Sequence, residues 1–493
     1  MGLAPHMGLT PAMVVPLALA QFVSTFAGTS MNVAVSAIAG DIGTDVAGIQ
    51  TAITLFTLTM AALMIPGSKL TDIWGRRRCF IAGLLVYGVG AILAACAQGL
   101  GALIVGNSIL EGVGSALMIP PVYILITVGF ADPSARARYF GVVSGAGGLG
   151  ACAGPLLGGL LTSTISWRAS FVAQIAMLAV TVWLARRIVE PAHAAGPPPR
   201  FDAFGAVLSA AGMCAVVLGV LGSSTYGWFT ARTDLTVGGT VLVSAGSLSP
   251  VWYCIGAGLL ILVVFAVETR RLDAAGREPL VRPAALRGRT VQAGLSTQFV
   301  QWLVLQGSFF VTSVFLQRVR GYNAIQSGLM LTPEIIGVLA ASAAAGRLAR
   351  RHAQRSLVIG GFALAALGCA LLLALVRAHS GIPSFWPGLL LVGTGMGVML
   401  TSSVTVVQSA VPEALQGDIS GVSRSVSNLG SSLGTALVGS ALVAAAHPGG
   451  RPFAASAAML LVITMIGLAV ALVIPRSARP PAGQKSSQVG RIG

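Results

Sequence analysis

The sequence predicts an all-α membrane protein, built as two six-helix bundles with two further helices inserted between them. Three observations predict it. The 493 residues are 55% hydrophobic and only 9% charged, with mean hydropathy +0.86, whereas a soluble domain carries about 25% charged residues. Too few charges remain to cover a water-exposed surface. The apolar residues also gather in runs long enough to cross a hydrocarbon core about 30 Å thick, which takes about 20 helical residues. Finally, the cations lie in the gaps between runs, and predominantly in alternate gaps.

The first run, 12–38, is longer than the apolar stretch of a secretory signal and lacks a basic flank, so it reads as a span rather than a leader. Runs at 47–66, 79–97, 101–128, 138–163 and 167–188 complete an N-terminal bundle within 1–188. Segment 189–288 then holds two linkers, Glu190–Ala203 with Pro197, Pro198 and Pro199, and Thr269–Arg289, rich in Arg and Pro. They flank an inserted pair of helices at 204–223 and 251–268. Between that pair, Ser224–Pro250 is moderately apolar at Leu235–Leu248 but too short and too rich in Gly and Ser to span, and reads as a long loop. The C-terminal bundle, 289–475, takes runs at 289–317, 325–348, 356–376, 384–411, 417–446 and 453–475, and a tail follows at 476–493.

Cation placement orients this map. With the N-terminus in the cytoplasm, 23 of the 30 Lys and Arg residues fall in inner loops or the tail. Six, namely Arg168, Arg232, Arg318, Arg320, Arg377 and Arg451, fall outside, and Arg424 lies within a helix. Cytoplasmic loops carry such an excess, so both termini are expected in the cytoplasm, with the chain in the cell membrane. The net charge of +16 belongs to these loops. No basic face interleaved with aromatics points to nucleic acid. The six cysteines form no CxxC pair, which argues against a metal site or disulfide framework, and no cofactor is expected. Neither HExxH nor the P-loop is present, which argues against an enzyme.

The stretch Gly67-Ser-Lys-Leu-Thr-Asp72-Ile-Trp-Gly75-Arg76-Arg77-Arg78 packs one acid, two turn-permitting glycines and four cations into the gap after the second run. In the fifth run, Gly150, Gly154, Pro155, Gly158 and Gly159 form a small-residue motif, with three glycines at i, i+4 and i+8. Gly346-Arg-Leu-Ala-Arg350-Arg351 repeats part of the first motif in the second half, with Arg350 where an acid stood.

On these residues and the six-two-six layout, the chain resembles the fourteen-helix drug:proton antiporters of the major facilitator superfamily. The resemblance implies the major facilitator fold and alternating access between two bundles. It implies export of a small amphiphile against inward protons, with the lipid bilayer as the other partner and a monomer as the working unit. It assigns Gly67, Asp72, Gly75, Arg76 and Arg77 to a cytoplasmic lock. Asp72 would face the positive end of a helix beginning near Gly417, a contact worth about 0.3–1 kcal/mol when exposed. The helix-five motif would form a bent, close-packed face against the other bundle that blocks proton leak, although such small residues also serve ordinary helix packing.

A charge near mid-bilayer costs about 2.5–3.5 kcal/mol, so Glu111, Glu334 and Arg424 stand out, with Asp418 at an inner mouth. Burial favours the neutral form of an acid, which suits a group that exchanges protons. Glu111 is the first candidate for that role and Glu334 the second, with Arg424 a partner for either. The family's helix-one acid and helix-four Arg are absent here, where Ala27-Gly-Thr29-Ser-Met-Asn32 and Ser108-x-x-Glu111-Gly112 stand, so a relocated or lost proton site are both open. Gln21, Asn32, Ser108, Gln298, Gln301 and Trp302 are the expected cavity lining, with cations favoured if the acids are ionised.

Overall fold

The computed structural model describes residues 11–130, 133–188, 201–237, 240–377, 380–412, 415–444 and 452–476. The proline linker at 197–199 and the tail beyond 476 lie outside the described residues, as do the burial of Gly346 and the side chain of Arg350. The first bundle comprises α1 (Pro11–Asp41), α2 (Val46–Trp74), α3 (Arg76–Ala95), α4 (100–129), α5 (Pro133–Thr164) and α6 (Arg168–Ala185). The inserted pair is α7 (Ala203–Tyr226) and α8 (Pro250–Ala274). The second bundle comprises α9 (Arg289–Arg318), α10 in two pieces (Ala324–Met330 and Thr332–Arg351), α11 (Gln354–Leu375), α12 (Trp386–Ser409), α13 (Gln416–Ala444) and α14 (Pro452–Val473).

Among the described residues, twelve helices are long and apolar enough to cross a membrane, and up to thirteen when the pieces of α10, bent by 44°, count as one span. The remaining helix, α13, is 29 residues long. Its Ser and Gly content, with Asp418 and Arg424, keeps it below an apolar span, because it packs against protein on several sides rather than lipid.

Local sequence starts these helices where the chain can supply caps. Asp45 accepts from Gly48 N at 2.8 Å to open α2, and Asp202 accepts from Gly205 N at 2.8 Å to open α7. Asn323 and Gln326 form a reciprocal capping box at the first piece of α10. Each supplies a partner to a backbone N–H that the helix leaves unpaired.

Packing then repeats between the bundles. A Cβ on Gly83 or Gly90 of α3 would stand 2.8 or 2.7 Å from the carbonyl oxygens of Gly114 and Gly106 in α4. A Cβ on Gly361 or Gly368 of α11 would stand 2.8 or 2.7 Å from those of Gly395 and Gly388 in α12. The same close crossing, with glycines seven residues apart, is used twice, as in transporters built from internal repeats.

Two sequence expectations change. The Gly67–Arg78 stretch is not a loop: α2 runs to Trp74, α3 starts at Arg76, and only Gly75 leaves the helix. Gly75 has φ +96°, a conformation that favours glycine. Gly67, expected in a turn, lies inside α2, where a Cβ would meet Ala116 O of α4 at 2.2 Å. An apolar-run criterion ends a helix at the lipid boundary, whereas backbone hydrogen bonding carries it two turns further. The long loop also holds a short antiparallel hairpin, β1 (Leu235–Val237) with β2 (Thr240–Val243).

Candidate functional site

The end of the molecule carrying Lys69, Arg76, Arg77 and Arg78 is here the basic end, and the opposite end, with Arg168 and Arg318, the far end. At the far end α1 and α9 are tied together. Ser36 N donates to Gln317 Oε1 at 2.9 Å, and Ser313 Oγ and Gln317 Nε2 donate to Asn32 O at 2.5 and 3.3 Å. Nearer the middle, Gln306 Nε2 donates to Gly28 O at 3.2 Å. Beside them α5 meets α10: Ile325 N donates to Ser163 Oγ at 3.0 Å, and a Cβ on Gly328 would stand 2.3 Å from Pro155 O. Hydrogen bonds between membrane helices average about 0.6 kcal/mol, so five such bonds contribute about 3 kcal/mol. That is a closure that can reopen.

The same face of α5 changes character along its length. At Cys152 it still touches α10, with Sγ 3.9 Å from Ile335 O. One, two and three turns toward the basic end, a Cβ on Gly148, Gly145 or Gly141 would find nothing within 4 Å. Spacings of three and four place these residues on one helix face. Among the described residues, the α5–α10 seam is therefore closed in its far half and open in its basic half.

The α2–α13 seam is closed throughout. Gln50 Nε2 donates to Thr435 O at 3.1 Å, Ser432 Oγ to Thr54 O at 3.0 Å and Ser425 Oγ to Ala61 O at 2.5 Å. At the basic end a Cβ on Gly421 would lie 3.4 Å from Ser68 Cβ. Helix α7 covers this seam, packing Val217 and Val220 with Leu58 of α2 and with Leu433 and Ala436 of α13. A strap from the linker after α8 crosses its basic end. Glu278 pairs with Lys69 of α2 at 3.7 Å, Arg282 Nε with Asp418 of α13 at 2.7 Å, and Leu280 and Val281 are buried between α2, α7 and α13.

This geometry re-sorts the expected site residues. Gly150, Gly154 and Gly158 do not face the opposite bundle. They receive α1 of their own bundle, where added Cβ atoms would strike Phe22 O, Thr29 Oγ1 and Ser30 Cβ at 2.3, 1.9 and 2.9 Å. Of the motif, only Gly159, against Ala324 O, and the Pro155 carbonyl reach across, and α5 stays one continuous helix through Pro155. Spacing shows that glycines share a face, but not which neighbour takes it. Asp72 is exposed at the end of α2, one turn beyond Ser68. Arg76 and Arg77 are half-buried at the start of α3, and Arg77 donates to Arg186 O at 3.2 Å.

Glu111 is fully buried, and it ends the π-helical turn Ile104–Glu111 of α4. Such turns recur at functional sites. Neither carboxylate oxygen has a hydrogen-bond partner among the described residues, although the Tyr87 hydroxyl of α3 stands beside it and donates to Gln174 Oε1 of α6 at 3.0 Å. Glu111 thus belongs to the interior of the first bundle. Glu334 is also fully buried, in the first turn of the second piece of α10. It neighbours Ser308 of α9 and lies within electrostatic reach of Cys152 of α5, at the seam between bundles. Arg424 pairs with neither acid. It donates to the Tyr123 hydroxyl of α4 and lies 4.7 Å from the centre of that ring. Tyr123 donates in turn to Gln21 Oε1 of α1 at 3.2 Å.

The expected cavity lining is mostly consumed by packing. Ser108 donates to Ala52 O at 2.7 Å, Ser423 to Gln298 Oε1 at 2.5 Å and Ser403 to Gln301 Oε1 at 2.8 Å. These three, with Asn32, are fully buried, whereas Trp302 is half-buried. Tyr123, Tyr87, Gln174 and Gln317 were not singled out from sequence. The available signal was a hydroxyl or amide within an apolar run, which needs a partner inside the membrane.

Comparison with known proteins places the chain among transporters. The family model described as Major Facilitator Superfamily matches residues 17–435. A puromycin resistance protein of Streptomyces alboniger is 29% identical over 433 residues, 86% of this chain and 80% of that protein. A probable actinorhodin transporter of Streptomyces coelicolor is 28% identical, covering 85% and 70%. A tetracenomycin C resistance and export protein of Streptomyces glaucescens is 28% identical, covering 83% and 72%. The solved structure of an auto-inhibited POT-family peptide transporter shares the fold, with TM-score 0.63 at 16% identity over 94% of this chain and 96% of that one.

Proposed function

The chain belongs to the major facilitator superfamily, as a multi-pass membrane transporter and not an enzyme, and on that premise we propose that it exports small amphiphilic compounds across the cell membrane by alternating access, driven by inward protons. The observation that carries this reading is the α5–α10 seam, joined in its far half and parted in its basic half. With the basic end in the cytoplasm, as the cation bias suggests, this is a conformation open to the cell interior. Relatives bearing the names of resistance and export proteins support the outward direction.

Two bundles that part at one end while joined at the other expose a site to each side in turn. For protons to drive that exchange, a titratable group must sit where the joining changes. Of the two buried acids, Glu334 stands at the seam beside Cys152, whereas Glu111 lies among α3 and α6 within one bundle. Glu334 is the proposed coupling residue, and Glu111 a second acid that modulates it. Asp72, Gly75, Arg76 and Arg77 act at the basic end of α2, and Asp418 holds the strap there.

The test is transport of lipophilic cations, acids and neutral compounds in proteoliposomes with an imposed pH gradient. Gradient-driven accumulation is expected for the natural sequence. Glu334→Gln should abolish it while sparing exchange down a concentration gradient, and Glu111→Gln should weaken it less. Movement that ignores the pH gradient would replace the antiporter with a facilitator, the reading favoured by the missing helix-one acid and helix-four Arg.

A further inference from the structure

Arg424, Tyr123 and Gln21 form a cluster that the transport reading leaves without a task. They come from α13, α4 and α1, so they straddle the two bundles. Arg424 lies eight residues into α13, about 12 Å along the helix from its start at 1.5 Å per residue. Tyr123 sits six residues before the basic end of α4, at a matching depth. Gln21 packs against Gly147 of α5, where a Cβ would meet its side chain at 3.1 Å. The neighbouring Gly148 and Gly145 face the open half of the α5–α10 seam. The cluster therefore borders the space opened between the bundles at the basic end.

Its charge is uncompensated among the described residues. Among the described residues no carboxylate lies within 4.0 Å of Arg424, and Asp418, on the same helix, is taken by Arg282. Glu111 and Glu334 have the separate surroundings given above. The guanidinium is held by a ring face and a phenol oxygen, groups that position a cation without neutralising it. Tyr123 is fixed in turn, since its hydroxyl accepts from Arg424 and donates to Gln21 Oε1. Arg424 is also only half-buried. A guanidinium offers five N–H donors in a planar fork suited to a pair of oxygens, and among the described residues only one hydrogen bond engages it.

Building on the export reading, we propose that Arg424, positioned by Tyr123 and Gln21, is an anion-recognising subsite, and that the substrates are amphiphilic acids, an apolar body bearing a carboxylate or an acidic phenol. The acidic group docks on the free edge of the guanidinium while the body occupies the apolar space beside α5. This reverses the preference for cations that two buried acids suggest from sequence.

The test uses two radiolabelled probes with one apolar body, para-hexylbenzoate and para-hexylphenyl-trimethylammonium, bound to the purified full chain. The benzoate should bind at least about tenfold more tightly. Arg424→Gln should erase that preference, while Arg424→Lys should keep part of it. Gln21→Glu, which sets an acid beside Tyr123 as an internal counter-ion, should weaken benzoate binding alone. Elution of each variant as a single monodisperse species checks folding. Equal or tighter binding of the cation, binding of neither probe, or parallel loss of both in Arg424→Gln would overturn the proposal. Transport in proteoliposomes separates it from the export reading. Benzoate bound but not moved removes export and leaves the subsite, whereas equal movement of both probes does the reverse.

Discussion

The two seams between the bundles use corresponding helices of the repeat. Counting six helices per bundle, α10 corresponds to α2 and α13 to α5, so α2–α13 and α5–α10 would be alike in a symmetric molecule. They are not. The first is bonded from Gln50 to Ala61, close-packed on to Ser68, covered by α7 and crossed by the strap. Among the described residues, the second is bonded only from Cys152 outward and parts toward Gly141. The contrast teaches what an inserted pair of helices can do: it buries one seam in protein and leaves the other as the one able to open toward the bilayer and the basic end. Polar contacts follow the same division. Serines and Gln50 bind backbone carbonyls along the covered seam, whereas the partly open seam holds Cys152 and Glu334.

The largest effect should come from locking the joined far half of the seam that parts. Ser163→Cys paired with Ile325→Cys, with the exposed Cys96 and Cys254 replaced by Ser, should lower transport at least about tenfold when cross-linked and recover on reduction. Next is the cover. Val217→Asp puts a charge into the contact of α7 with α2 and α13, at a cost of about 2.5–3.5 kcal/mol if it lies near mid-bilayer. A fall in melting temperature of the purified protein should record it. A smaller effect is expected from tying the basic end of the covered seam. Gly421→Cys with Ser68→Cys meets the geometry of a disulfide, since the Cβ separation of 3.4 Å is close to the usual value of about 3.8 Å. It should leave more than half of the transport rate. Equal loss at both cross-links would break the comparison and favour a junction that opens in each cycle, as a lock at Asp72 requires. The smallest effect belongs to exposed charges. Arg282→Ala and Asp72→Asn should each slow transport less than about fivefold, because exposed ion pairs and helix-end contacts contribute about 1 kcal/mol or less. A larger loss would make the strap or Asp72 a working part of the gate.

Much of the fold was legible in the chain. Runs of apolar residues, few charges and a one-sided distribution of Lys and Arg are enough to place the helices, because lipid excludes unpaired backbone and ordinary charge. The Gly67–Arg78 and Gly150–Gly159 motifs pointed to the superfamily, and rare intramembrane charges pointed to Glu111, Glu334 and Arg424. Rotation of the helices was not legible. Soluble helices reveal their inner face by amphipathic periodicity, but helices that are apolar nearly all round do not. The sequence therefore could not tell that Gly154 meets Thr29 of its own bundle, that Glu111 turns toward Tyr87, or that Gln298 and Gln301 are bound to serines rather than open to a cavity. Nor could it show α2 continuing to Trp74, where helix hydrogen bonds outlast the apolar run. Local chemistry by itself determined which segments lie in the membrane and which residues are too costly there to be incidental. Only the tertiary structure decided which neighbour each of those residues meets, because that depends on how helices of nearly uniform surface are turned against one another.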